Sequence, residues 1–397
     1  MNDATAPEAR DTTGLGHDML AVARSLGPEI AAAADRTDAE CEIPPPLAAR
    51  LADAGLFRML VPRRLGGGEL DLPTYVRVLE EVARADGSTG WCVNQGAVFA
   101  TNAAFMDPEA AREIWSDPRA AISNGPSPTA RAEVVEGGYR LSGHWAFSSG
   151  IRHATWVAGL AFVERAGERV TAPDGGPVLR HFVVPKSEVT IVENWDVRGL
   201  RGTGSHHFEV HDLFVPERFG VYTYSDPARE PGPLYKFPMI LLFASGFSSV
   251  ALGIARASLD ALAGLAGGRV PRGMQTLRDQ PLVQMQMGRA EAGLRAARAL
   301  LHETVREVWH DVETTGELTV EHRVRLRLAT THAIRSAAST VDTAYDGFGA
   351  EGIYASSPIQ RRFQDIHVVT QHVQARMAHY ESAGRWFLGL EPDMRWL

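Results

Sequence analysis

Along this chain of 397 residues the spacing of apolar side chains changes its period twice, and that double change limits what the chain can fold into. From His17 to Trp115 apolar residues recur at intervals of three and four. Leu20, Ala23 and Leu26 continue past Pro28 through Ile30 and Ala34; Pro44-Pro45-Pro46 opens a second run at Leu47, Leu51 and Ala54; Tyr75, Val78, Leu79 and Val82 mark a third. This is the period of helices buried on one side. Trp91 to Ala103, preceded by Asp86-Gly87-Ser88-Thr89-Gly90, is small and apolar nearly all round, which predicts a deeply buried helix. Near residue 120 the pattern shortens. Ala132–Val135, Tyr139–Ser142, Trp145–Ser149, Trp156–Phe162, Arg180–Val184, Thr190–Val192 and His207–Val210 are β-branched or aromatic runs, separated by turns such as Glu136-Gly137-Gly138 and Asp174-Gly175-Gly176. They predict an antiparallel β unit. From Phe237 helical spacing returns in Val250–Leu265, Leu282–Trp309, Val320–Tyr345 and Arg361–Phe387, four long segments suited to an antiparallel bundle. The expected class is α+β, with a loose tail over 1–16, a helical domain over 17–118, a central β domain over 119–230 and a helical bundle over 231–397.

A net charge of −8 argues against nucleic acid or an anionic membrane as the main partner. Cys41 and Cys92 are the only cysteines, too few for a disulfide framework and without metal-ligand spacing, so no metal and a reducing cytoplasm are expected. The first fifteen residues lack the apolar core of a signal peptide. Ile240–Phe243 and the small residues after it read as too short and too interrupted by polar residues to cross a bilayer.

Chemistry-bearing residues gather in four stretches. Tyr345–Tyr380 runs from a glycine-rich turn (Gly347, Gly349, Gly352) through Pro358 into a predicted helix with Asp365, His372 and His379 at seven-residue spacing. Such residues drift only about 20° per step and so form one stripe; His367 points elsewhere. In Trp145-Ala-Phe147-Ser148-Ser149-Gly150, strand parity puts Trp145, Phe147 and Ser149 on one face, suited either to a flat heteroaromatic ligand or to a core strand ending in a capping serine. Arg198-Gly-Leu-Arg201-Gly-Thr203-Gly-Ser205 could cradle oxygens with backbone N–H groups, though it is neither a Walker loop nor a dinucleotide fingerprint. Asn124-Gly125-Pro126-Ser127-Pro128 reads as a turn whose Asn124 could bond a ligand.

Together these stretches resemble the acyl-CoA dehydrogenase superfamily. The matching segments are Leu51-Ala-Asp-Ala-Gly-Leu-Phe57, Pro62-Arg-Arg-Leu-Gly-Gly-Gly68, Ala85–Trp91, Leu141–Gly150, Arg198–Ser205 and Arg361-Arg-Phe-Gln-Asp365, in order across three domains. The resemblance implies an N-terminal helical domain, a central antiparallel β domain and a C-terminal four-helix bundle, a flavin between the last two, and a homotetramer. Dehydrogenation beside a thioester needs a carboxylate base. Here Ile366–Tyr380 holds no Asp or Glu, none occurs between Glu230 and Asp260, and Glu351 is the one acid left nearby. The chain is more similar to the two-component (group D) flavin monooxygenases of this fold, with dehydrogenase-like oxidation by a non-standard base as the alternative. Those enzymes take reduced flavin (FADH2 or FMNH2) from a separate NAD(P)H:flavin reductase, react it with O2 to a C4a-hydroperoxide and hydroxylate a small aromatic substrate.

By that resemblance His372, Ser149 and Asn124 are expected to be catalytic, with His372 moving a proton and Ser149 bonding near flavin N5 and the peroxide. Trp145, Phe147, Ser148, Arg201, Thr203, Ser205 and Gly349 would hold the flavin. Some relatives bind a phenolate through a histidine in the helix after the Gly-Trp pair. This chain has Trp91, Asn94 and Gln95 there and no histidine, which favours a neutral, heteroaromatic or amide-bearing substrate.

Overall fold

The computed structural model describes residues 15–127, 129–173, 175–221, 227–270 and 275–397. Most of the expected tail, Pro128 of the Asn124–Pro128 turn and Asp174 of the Asp174–Gly176 turn fall outside these residues.

Five helices come first: α1 (Leu15–Glu40), α2 (Pro45–Asp53), α3 (Leu72–Ala85), α4 (Gly87–Ala100) and α5 (Pro108–Trp115). Their starts follow local chemistry. Pro45 and Pro46 occupy the first turn of α2, where a missing N–H costs nothing. The Asp71 carboxylate accepts the Thr74 N–H at 2.7 Å to cap α3, and Asp86 accepts both the N–H and the hydroxyl of Thr89 at 2.8 Å to cap α4. Among the described residues nine strands follow: β1 (Ile122–Gly125), β2 (Arg131–Val135), β3 (Gly138–Trp145), β4 (Trp156–Arg165), β5 (Glu168–Arg169), β6 (Leu179–Pro185), β7 (Thr190–Val192), β8 (His207–Pro216) and β9 (Gly220–Val221). The main path runs β7-β8-β3-β2-β4-β6-β9, with β1 and β5 also on β4. The sheet is mixed rather than antiparallel, because β1 and β2 both run parallel to β4. Asn124 lies in β1, opposite Ala158, and not in a turn.

Trp145 ends β3 and anchors the sheet's core. Its ring lies 4.9 Å from Phe208 at 6°, its Nε1 donates to the Leu160 carbonyl at 2.9 Å, and a Cβ at Gly159 would fall 2.7 Å from it. Beyond Trp145 the strand stops. Phe147 takes φ +56°, a left-handed conformation that breaks strand parity, so Trp145, Phe147 and Ser149 do not share a face.

The last part is helical: α6 (Met239–Gly268), α7 (Pro281–Thr315), α8 (Val320–Phe348), α9 (Pro358–Gln371) and α10 (Ala378–Phe387). The expected fourth segment is thus two helices, not one. Against the sequence reading, α6 is long and apolar enough to cross a membrane by length and composition, with a mean hydropathy of 1.7 over its most apolar window. That window is 83% buried inside the protein, so its apolarity is that of a core helix. It packs on α3, α4, α8 and α9, and its contact with α4 brings Phe247 onto Trp91 at the site.

Candidate active site

Helix α4 frames the site because it lies between α6 and β1. The Trp91 indole stacks on Phe247 of α6 with centroids 3.9 Å apart, and the His372 ring meets both edge-on, at 5.1 Å from Trp91 and 4.7 Å from Phe247. On its other side the Trp91 Nε1 donates to Ser149 Oγ at 3.1 Å. One turn on, Gln95 Nε2 donates to Asn124 Oδ1 at 2.9 Å. That bond fixes the polarity of the carboxamide pair, leaving the Asn124 NH2 and the Gln95 carbonyl to face other partners.

Ser149 belongs to a chain of hydroxyls whose direction follows from counting protons. The Thr203 hydroxyl donates to the Leu200 carbonyl at 2.8 Å, so toward Ser205, 2.7 Å away, it can only accept. Ser205 therefore gives its one proton to Thr203, and must accept from Ser149 at 2.7 Å. Ser149 in turn has spent its proton. With one lone pair taken by Trp91, it keeps one acceptor position and no donor. The Leu200 end of the chain is held from the bundle: the Leu200 N–H donates to the Asp365 carboxylate at 2.6 Å. Burial, reinforced by Asp86, pushes the Asp365 pKa up to about 7.

The histidine stripe does not form. Helix α9 ends at Gln371, and His372 is extended at φ −69° and ψ 150°. Asp365 remains in α9 on the Leu200 loop, while His379 lies in α10 with its Nε2 on the Val373 carbonyl at 2.8 Å. His367 pairs with Asp342 at 2.9 Å. His372 alone reaches the aromatic cluster, because the helix end turns it there. Its Nδ1 accepts the Gln374 N–H at 3.4 Å, which places the proton of a neutral ring on Nε2. Burial, aided by Arg376, lowers its pKa to about 4. The ring is a neutral N–H donor at neutral pH and a weaker base than an exposed histidine.

Several other expected positions face inward. Trp145 is enclosed in the sheet core and offers no ring face. Ser123 donates to the Ser149 carbonyl at 2.9 Å, so Ser148 gives its proton to Ser123 at 2.6 Å, and Ser148 is fully buried. Asn94 is fully buried too; it accepts the Tyr75 hydroxyl, and a Cβ at Gly246 would fall 1.9 Å from its Oδ1. Arg201 holds α1, donating from Nε to the Asp38 carbonyl at 3.1 Å and from Nη1 to the Val197 carbonyl at 2.9 Å. Thr203 and Ser205 act through the hydroxyl chain. Phe147 is 58% exposed, its ring near Trp195 and His207. Gly349 ends α8 at φ +56° and ψ −137°, which glycine alone adopts readily. Phe243 and Phe247, absent from the expected site, sit in a run of apolar residues and serines with no titratable side chain; their only signal is the four-residue spacing that puts both on one face of α6.

A family model described as "Acyl-CoA dehydrogenase, N-terminal domain" matches residues 19–114, and one described as "Acyl-CoA dehydrogenase, C-terminal domain" matches residues 245–377. The indole-3-acetate monooxygenase of Pseudomonas putida is 36% identical over 340 residues, 85% of each chain. The chain belongs to the acyl-CoA dehydrogenase family. Within it, this member is an oxidoreductase of the flavin-dependent monooxygenase kind. The oxygenase component of an FADH(2)-dependent resorcinol hydroxylase from Rhizobium sp. (strain MTP-10005) is 29% identical over 379 residues, 90% of this chain and 91% of that one. The crystal structure of the HsaA monooxygenase from M. tuberculosis superposes with a TM-score of 0.86 at 29% identity, over 96% of this chain and 100% of that one. That superposition covers nearly the whole of both chains, so this chain and HsaA share one fold.

Proposed function

We propose that this chain is the oxygenase component of a two-component monooxygenase, which takes FADH2 or FMNH2 from a separate NAD(P)H-dependent reductase and hydroxylates a small aromatic or heteroaromatic substrate with O2. When bound, the flavin would supply the oxygen atom through its C4a-hydroperoxide. The residues fit such a group. Exposed Phe147 offers a flat apolar wall, and Ser149, two residues on, offers a single acceptor position. An acceptor matches the N5–H of reduced flavin and opposes the bare N5 of oxidised flavin. Because Ser149 has no proton to give, a donor to a developing oxygen anion has to come from elsewhere; the His372 Nε2–H and the Asn124 NH2 are the groups available. The Trp91–Phe247 pair with edge-on His372 suits a flat ring.

The observation that carries this reading is the polar inventory of the site: hydroxyls, carboxamides and a neutral imidazole, with no Asp or Glu in residues 231–259 or 366–380. Proton abstraction beside a thioester needs a carboxylate. Two carboxylates remain nearby, and both are committed: Glu351 pairs with Arg269 beyond the end of α8, and Asp365 accepts the Leu200 N–H at 2.6 Å. Exposed Phe387, Leu388, Leu390 and Met394 support further assembly, which we take to be a homotetramer. The deciding experiment is stopped-flow mixing of the protein holding reduced flavin with oxygenated buffer, with and without indoles and phenols. A transient hydroperoxide absorbance and an oxygenated product are expected. Reoxidation at the rate of free flavin would overturn the proposal, and anaerobic bleaching of oxidised flavin by substrate would establish a dehydrogenase instead.

A further inference from the structure

Nothing in the local sequence stops α9 where it stops. Thr370-Gln371-His372-Val373-Gln374-Ala375-Arg376-Met377 holds no glycine or proline, and its glutamines, alanine, arginine and methionine favour a helix. Yet α9 ends at Gln371, a 3₁₀ turn follows over Val373–Ala375, and α10 starts only at Ala378. A local preference overruled in this way has to be held by contacts from elsewhere in the chain. Each residue of the turn is gripped by one side chain of α8 or α10. The His379 Nε2–H donates to the Val373 carbonyl at 2.8 Å. Arg327 Nη1 donates to the Gln374 side-chain oxygen. Arg335 Nε donates to the Ala375 carbonyl at 3.0 Å, and its Nη2 donates to the same oxygen.

Arg327 is the unusual member of the three. It is fully buried, and burial alone lowers its pKa, to about 9. Its Nε and Nη2 have no partner among the described residues. One neutral oxygen does not offset the desolvation of a guanidinium, so Arg327 costs stability where it stands. Burial, aided by Arg327, also lowers the His379 pKa to about 4, which keeps that ring neutral with its one proton on the Val373 carbonyl. What Arg327 gains is a hold on Gln374, and the Gln374 N–H is the group that meets His372 Nδ1 at 3.4 Å. The three residues form a line. The guanidinium fixes the side chain of Gln374, the turn fixes its N–H, and that N–H leaves the imidazole proton on Nε2.

We propose that Arg327 is a positioning residue: by gripping Gln374 it holds the break after α9 and so fixes both the direction and the tautomer of His372. The assignment rests on the monooxygenase reading for what His372 does, not for the geometry. Its test begins with the full chain free of flavin, by hydrogen exchange read by mass on peptides covering residues 372–377. Arg327→Met keeps the bulk and removes the charge. It should exchange that segment at least about tenfold faster and the rest of the chain within about twofold, as expected for a local opening. It should also melt no lower than the unaltered protein, because an uncompensated buried charge has gone. With reduced flavin and oxygen, it should lower product per flavin about as far as His372→Ala does. On the His372→Ala background it should lower it no further, since the two act through one group. Unchanged exchange over 372–377 would overturn the assignment. So would a lower melting point with acceleration spread over the whole chain, or a full additional loss of product on the His372→Ala background, since either marks a merely structural role. Should Arg327→Met fail to fold, Gln374→Glu decides. A charged acceptor tightens the grip, so exchange over 372–377 should slow at least about threefold, and no change would overturn the assignment. Failure of the monooxygenase reading is a different result: no oxygenated product from the unaltered protein with any aromatic, while the exchange pattern stands.

Discussion

Replacing Thr203 by valine tests the direction of the hydroxyl chain, and its consequences can be worked out bond by bond. Valine keeps the shape and removes one proton donor. The Leu200 carbonyl is not orphaned, since it still accepts the residue-203 N–H at 3.1 Å. Ser205 loses its acceptor, and the nearest remaining one is Ser149 Oγ at 2.7 Å. Ser205 then donates to Ser149, and Ser149 recovers a free proton. It changes from an acceptor to a donor toward its ligand. A neutral hydrogen bond contributes about 1 kcal/mol net, so losing the match to N5–H and gaining one to bare N5 should move the relative affinity for reduced and oxidised flavin by about 2 kcal/mol, roughly thirtyfold. The assay is anaerobic titration of the protein with each flavin state, with thermal melting as the folding control. A ratio unchanged within twofold in a variant that melts normally would refute the assigned direction. Ser149→Ala provides the second corner of a cycle: on that background Thr203→Val should have no further effect on the ratio, because the pair acts through one atom.

Two further outcomes follow from the titrating groups. His372→Ala should lower the yield of oxygenated product per flavin by at least about tenfold while leaving reduced-flavin affinity nearly unchanged, as expected for one lost donor bond at a charged oxygen; and because the His372 pKa is depressed to about 4, the unaltered enzyme's product yield should show no histidine inflexion between pH 5.5 and 8. Asp365 has the opposite sign. Its folded pKa, about 7, stands above the ordinary 3.8, so the stability it lends is fully present below pH 4 and is lost as pH rises through 7. Asp365→Asn keeps an acceptor for the Leu200 N–H and removes that dependence. Its urea midpoint should exceed that of the unaltered protein at pH 8, with the gap closing toward pH 5.

The sequence by itself determined the architecture, because period is a local property. The helical spacing of Tyr75–Val82, the caps at Asp71 and Asp86 and the alternation after residue 130 each depend on near neighbours, and the order helical, β, helical follows from them. It also determined the absence of a carboxylate from 231–259 and 366–380, which separates oxygen transfer from proton abstraction. Tertiary structure decided what each polar group is free to do. Trp145 and Phe147 look alike in sequence, yet one is locked against Phe208 and the other is left exposed by a single residue at positive φ. Ser148 and Ser149 are adjacent, and only distant partners, Ser123 for one and Ser205 and Trp91 for the other, distinguish a buried structural hydroxyl from an acceptor at a site. The stripe through Asp365, His372 and His379 required a continuous helix, and α9 ends at Gln371, where His372 turns into the cluster of Trp91 and Phe247. Hydrogen-bond direction and desolvation are set by contacts between residues far apart in the chain. For that reason the acceptor at Ser149 and the neutral imidazole at His372 became visible only once the chain was folded.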